Sequence, residues 1–251
     1  MRKDAMLRGA AAGVLAVVLG LACIPLPDFP QPPPEPPPLG SATDIDGNAY
    51  ATVVIGNQEW MASNLKATRY NDGTPIPITE DNTVWANLST GSYSWYDDDI
   101  ANKDVYGALY NWYVIQYLEL RSRIDDICPT NFRLPNRATF EILVDALGGS
   151  TAASGALKEA GTSHWDSPNT GATNQSGFTA LPAGNRDETG SFVAKGQSAS
   201  WWSSDDSDVP DLAVASFFFL DDTSTTYGST VATDPYEDGL AIRCMRDVTP
   251  S

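Results

Sequence analysis

The sequence predicts an α+β domain with two helices, short antiparallel strands and high loop content. Three observations carry that class. Phe140, Leu143, Val144 and Leu147 recur at helical spacing. Residues 52–55 and 58–61 are β-rich runs on either side of Gly56-Asn57, a tight hairpin signal. Beyond Gly149 the chain is dominated by Gly, Ser, Thr, Asn and Asp, broken by short apolar islands.

The first segment is an address rather than a fold. Arg2, Lys3 and Arg8 precede an apolar run from Gly9 to Ala22, 14 residues long. That length is too short to span a bilayer and suits a signal segment at residues 1–22. The run ends in Leu19-Gly20-Leu21-Ala22-Cys23, which resembles the lipobox of bacterial lipoproteins and implies lipidation of Cys23. An ordinary cleaved signal with an incidental Cys23 is the competing reading. Ile24 follows Cys23, where the inner-membrane retention pattern prefers aspartate, so the expected address is the outer membrane surface. Residues 23–40 are proline-rich and extended, because proline fixes φ and lacks an N–H. Fifteen such residues give a stalk of roughly 45 Å. A ligand for a proline-reading domain is the less favoured reading of the same segment.

The globular domain is expected over residues 41–248. Asp46-Gly47 marks a turn, the hairpin over 52–61 follows, and Asn71-Asp72-Gly73 and Asp81-Asn82 mark further turns. Leu109, Trp112, Tyr113, Gln116 and Tyr117 predict a first helix over about 108–121. A second helix starts after Asn136, a plausible N-cap behind Pro135, and stops at Gly148-Gly149. The islands at 178–181, 200–203, 214–220 and 240–244 read as strands separated by long loops.

Charge bounds the partners. The chain carries −17; removing residues 1–22, with three cations and one anion, leaves −19. A phosphate backbone would be repelled, so no nucleic acid is expected. Membrane attachment is therefore expected through the N-terminal lipid and not through a basic surface. Of three cysteines, Cys23 is assigned to lipid, which leaves Cys128 and Cys244 as an even pair. Export favours a disulfide between them over two buried thiols.

Several segments together resemble the Fibrobacter succinogenes major paralogous domain (FISUMP) family. They are residues 43–48, 55–61 (Ile-Gly-Asn-Gln-Glu-Trp-Met), Asn64-Leu65, 70–77, 106–113, Cys128-Pro129, 157–161, 165–171, 176–182, 201–204 and Ile242-Arg243-Cys244. The resemblance implies an exported lipoprotein without an assigned activity. A more distant likeness, to the C-type-lectin-like fold of the formylglycine-generating-enzyme group, rests on 132–135 (Phe-Arg-Leu-Pro) and on 242–244. It implies two helices, a small twisted sheet and long surface loops. Residues 130–135 depart from the Gly-Trp-His-like stretch usual in the family, and 205–238 look particular to this chain.

Catalytic sets are missing from the sequence. His164 is the one histidine, no G-x-S-x-G turn occurs, and no P-loop or dinucleotide fingerprint is present. A histidine-rich zinc site is excluded by count. The reactive cysteine pair of the formylglycine-generating enzymes would have to come from Cys128 and Cys244, which are expected to be bridged. No cofactor is expected beyond a structural calcium, for which Asp44, Asp46 and Asn48 around Gly47 are weak candidates; they lack the later glutamate of an EF-hand. The acidic runs at 97–99, 205–208 and 221–222 read as solvated loops. Trp165, Trp201 and Trp202 are candidates for stacking on sugar rings, against the alternative that they plug the core. Strand alternation would turn one of Trp201 and Trp202 inward and the other outward or to the other face, and the outward one would be the better ligand candidate. The expected function is a non-catalytic cell-surface binding domain for a glycan or another surface protein. The alternatives are a carboxylate-based polysaccharide hydrolase and a passive envelope protein.

Overall fold

A computed structural model describes residues 40–120, 127–206, 213–224 and 233–248. The signal segment, most of the stalk and Cys23 lie outside them, as do Arg121 and Asp208.

The described chain is α+β and mostly antiparallel. The hairpin predicted around Gly56-Asn57 is present as β2 (Ala49–Ile55) and β3 (Gln58–Met61), with Gly56 at φ 59°. β1 (Gly40–Thr43) adds to β2 on one side, and the last strand, β12 (Met245–Asp247), adds to β3 on the other. A second sheet joins β4 (Tyr93–Ser94), β5 (Leu109–Asn111), β11 (Gly239–Leu240), β6 (Asn185–Arg186) and β7 (Phe192–Val193) in that order. The third holds β10 (Thr233–Pro235), β9 (Val214–Asp221) and β8 (Ser198–Asp206).

Five α-helices are described where two were expected: α1 (Asn82–Trp85), α2 (Lys103–Tyr106), α3 (Tyr113–Glu119), α4 (Arg137–Ala146) and α5 (Ser150–Leu157). α4 starts where its signals place it. The Asn136 side chain accepts from Thr139 N at 2.9 Å, which satisfies one of the orphan donors of the first turn. Its apolar stripe of Phe140, Leu143 and Val144 is buried, and Gly148 and Gly149 end it at φ 89° and 91°. Among the described residues no helix is long and apolar enough to cross a membrane.

The first predicted helix starts too early. Leu109–Asn111 is strand β5, in the middle of the five-stranded sheet, and the helix begins only at Tyr113. Ladder partners on both sides outweigh the local spacing of Leu109 and Trp112. Gly107, at φ 76°, makes the break; a Cβ there would meet Asn64 Cβ at 2.7 Å. The island at 178–181 is likewise not a strand. It contributes a single parallel bridge, Lys158↔Ala180.

The core falls into two clusters, and the β8–β9 pair stands between them. Trp202, Ala215 and Phe217 pack into one with Trp112, Tyr110 and Ile242. Trp201, Phe218 and Leu220 pack into the other with Trp60, Phe140 and Trp165. Alternate residues of both strands thus meet apolar partners on opposite faces. Cys128 and Cys244 form a disulfide across 116 residues and lie in the first cluster.

Candidate acidic groove and the other site residues

The groove begins with an irregularity in the β8–β9 ladder. Trp202 opposes Phe217, but the next aligned pair is Asp206 with Ala215. Three residues, 203–205, therefore face the single Ser216. A bulge of this kind bends a strand and re-aims its side chains. Ser204 leaves the ladder and its N–H donates to Pro135 O at 2.8 Å. Asp205 turns to the start of α4, where Oδ2 accepts from Arg137 N at 2.7 Å. A carboxylate at a helix N-terminus meets exposed N–H groups and the positive end of the helix dipole.

An open groove of about 620 Å³ results, between the bulge, the first turns of α4 and the end of α3. Glu119, Glu141, Asp205 and Asp206 supply four carboxylates, Ser204 and Ser216 two hydroxyls, and Arg137 one guanidinium. Arg137 Nε stands 3.7 Å from Glu141 Oε1, and Asp206 Oδ1 accepts from Tyr236 Oη at 2.6 Å. Ala138 apart, the lining side chains are polar. Ionised carboxylates only accept hydrogen bonds, so the groove suits an occupant rich in donors.

The tryptophans expected to meet ligand do not line it. Trp165, Trp201 and Trp202 are at most 1 % exposed. Each indole N–H is spent inside the protein: Trp165 on Ala180 O at 2.9 Å, Trp201 on Asn64 Oδ1 at 2.8 Å, Trp202 on Tyr110 O at 2.7 Å. The reason is the double-sided burial of β8, which removes the outward face that alternation would have given to one indole.

The calcium candidates form a turn. Asp44 accepts from Asp46 N, Asn48 N, Asn48 Nδ2 and Tyr50 Oη. Asp46 accepts from Thr68 N and Oγ1 and pairs with Arg69 Nε at 2.6 Å. The carboxylates that would face a cation face protein donors instead. Among the described residues no group of three or more His, Cys, Asp or Glu is placed to hold a metal ion.

The acidic runs are only partly solvated loops. Asp97 reaches Lys195 at 3.5 Å, Asp98 stands 3.7 Å from Arg186, and Asp99 caps the next turn through Ala101 N. Asp221 caps its own turn, accepting from Thr223 N at 2.9 Å. Asp205 and Asp206 line the groove. His164 bonds locally, with Nδ1 2.9 Å from the Glu159 carboxylate.

Sequence reasoning missed Glu119, Arg137, Glu141, Ser204 and Ser216 as a set. The acidic pair 205–206 was the only signal, and no local pattern announces the bulge that aims it.

The family model described as Fibrobacter succinogenes major domain matches residues 53–246. No curated protein and no solved structure matches the chain.

Proposed function

The chain belongs to the Fibrobacter succinogenes major domain family, and from that premise we propose that it is a lipoprotein of the outer membrane surface presenting a non-catalytic binding domain. Residues 1–22 direct export, Cys23 carries the lipid and the proline-rich stalk lifts the domain from the membrane. The ligand is a glycan or a segment of another surface protein, held in the acidic groove. The observation that carries the reading is the bulge at 203–205, which turns part of a core strand into a wall of hydrogen-bond acceptors around about 620 Å³. Sugar hydroxyls and backbone N–H groups are the donors such a wall selects. The C-type-lectin-like arrangement belongs to the same proposal, supported by mixed α+β architecture and by the disulfide just before the last strand.

The test is binding of the mature chain to a glycan and polysaccharide panel, with calcium and then with chelator. Saturable binding weakened at least tenfold by Glu141→Gln combined with Ser204→Ala supports the groove. Binding indifferent to both substitutions moves the site elsewhere, and no binding on the panel rejects glycans in favour of a protein partner or a passive envelope role. Cleaved products would favour the carboxylate-hydrolase alternative. Release of Cys23→Ala into the soluble fraction tests the lipid anchor.

A further inference from the structure

Asp238 is the most unusual acid among the described residues. It lies in the turn between β10 and β11 and is 5 % exposed. Its backbone N–H donates to Pro235 O at 3.0 Å, but its carboxylate Oδ1 has no partner among the described residues. The charged groups that act on it are acidic from every side: Asp234 on β10, Glu237 in the same turn, and Asp187 and Glu188 after β6. Arg186, on the strand paired with Gly239, gives no relief. Its guanidinium donates to the carbonyls of Gly190, Thr79 and Glu80 and lies over the rings of Trp85 and Phe192. A buried carboxylate among like charges, with one oxygen lacking any donor, is neutralised by taking up a proton. A metal ion is the other means, and no described group of three ligands offers one a seat.

The turn that holds Asp238 also touches the groove. Tyr236, two residues earlier, donates through Oη to Asp206 in the groove wall at 2.6 Å. The turn is seated by three further contacts. Trp85 Nε1 donates to Glu237 O at 2.7 Å, Tyr113 Oη donates to Glu237 Oε1 at 2.8 Å, and Trp112 N donates to Tyr236 O at 2.9 Å.

We propose that the 236–238 turn is a proton-dependent latch on the groove. With Asp238 uncharged, the turn sits against Trp85 and Trp112 and holds Tyr236 on Asp206. Ionisation of Asp238 forces the turn outward and withdraws Tyr236 from the groove wall. The regulatory meaning rests on the groove's being the binding site. The latch motion does not, and it can be read with no ligand present.

Burial first, and then the neighbouring acids, push the Asp238 carboxyl up to about 8 and burial pushes Asp234 up to about 6. Two such groups titrate as a coupled pair. The test is intrinsic tryptophan fluorescence of the mature chain between pH 6 and 9.5, since Trp85 and Trp112 both contact the turn. The expected result is a reversible change with a midpoint near 8, absent from Asp238→Asn, which keeps the low-pH signal throughout. Should that variant fail to fold, carboxyl carbon NMR of the unsubstituted chain reads Asp238 directly. A flat fluorescence profile, an Asp238→Asn profile equal to wild type, or an Asp238 carbon that titrates below about 5 overturns the latch. A transition that vanishes with chelator also overturns it, by putting a metal ion in the proton's place. Absence of ligand binding at pH 6 beside a normal Asp238 titration would instead reject the groove and leave the latch.

Discussion

Arg243 and Asn64 meet in the core: Nε and Nη2 of the guanidinium both donate to Asn64 Oδ1, at 3.0 and 2.6 Å. Arg243 is 1 % exposed and has no carboxylate partner among the described residues. Phe178 O accepts from Nη1, and the rings of Phe178 and Trp201 lie 4.2 and 5.2 Å from the guanidinium carbon. The same Asn64 oxygen takes the Trp201 indole N–H. One amide therefore answers a buried cation and a buried indole. Asn64→Ala strands both, and a loss of roughly 3–5 kcal/mol is expected, as for breaking a buried charge from its partner. Arg243→Met removes the charge together with its need and should cost less. Urea denaturation of the two variants gives the order; the reverse order would mean that the guanidinium stabilises by packing alone.

Lys158 solves the same problem with backbone. It is fully buried, and Nζ donates to Thr170 O, Asp221 O and Ser224 O at 2.9, 2.9 and 3.2 Å. An ammonium has three donors, and all three are used. Lys158→Met keeps the stem but takes the ammonium donor from the Thr170 and Asp221 carbonyls, so a loss of about 3 kcal/mol is expected. Burial holds the lysine pKa below its usual value. The unfolded chain then binds more protons at alkaline pH, so this residue's penalty eases as pH rises through its folded pKa. Wild-type stability minus that of Lys158→Met should increase over the same range.

Trp201→Ala and Trp202→Ala are expected to cost about 3–5 kcal/mol each, because each opens a void in a different core cluster. Loss of ligand binding in either variant would thus report unfolding. Trp202→Phe is the informative substitution. It keeps most of the ring while losing the bond to Tyr110 O, and it should bind ligand as wild type does. A specific tenfold loss at unchanged fold would place this indole at the ligand after all.

What the sequence makes legible is what short-range chemistry decides. The Gly56-Asn57 hairpin and the Asn136 cap depend on residues within a few positions of one another. The Leu109–Asn111 strand does not, since its partners, β4 and β11, lie 17 and 130 positions away by the pairs Tyr93↔Tyr110 and Leu240↔Tyr110. Alternation held at Trp201 and Trp202, which enter opposite core clusters; neither indole meets solvent, because both faces of β8 are covered from Ala199 to Ser203. The groove was invisible for a related reason: Asp205 is aimed by a bulge and by the start of a helix nearly seventy positions earlier.

The disulfide closes a loop set by a separation of 116 residues. In the chain-entropy picture its removal costs about 4–5 kcal/mol, through the unfolded state. It also holds Cys244 beside the first hairpin, where Cys244 O accepts from Met61 N at 3.1 Å. Cys128→Ala with Cys244→Ala should lower the urea midpoint by a corresponding amount while leaving the circular dichroism of the folded state unchanged. A midpoint within error of wild type would mean that the unfolded chain keeps these ends together without the bond.

Asp238 gives stability an acid-favouring slope. Its folded pKa, about 8, lies above the value of about 3.9 for an exposed aspartate, so between those limits the folded chain holds a proton that the unfolded chain has released. Stability contributed by this group is full below pH 4 and lost as pH rises toward 8. The usual salt-bridged aspartate behaves in the opposite sense. Asp238→Asn mimics the protonated form without the titration, so it should stabilise the fold at pH 8 by about 2 kcal/mol. At pH 4 the substitution should change little. Denaturation midpoints at the two pH values measure the difference directly. Equal effects at both would mean that Asp238 is charged throughout, and that some group beyond the four acids around it supplies the missing donor.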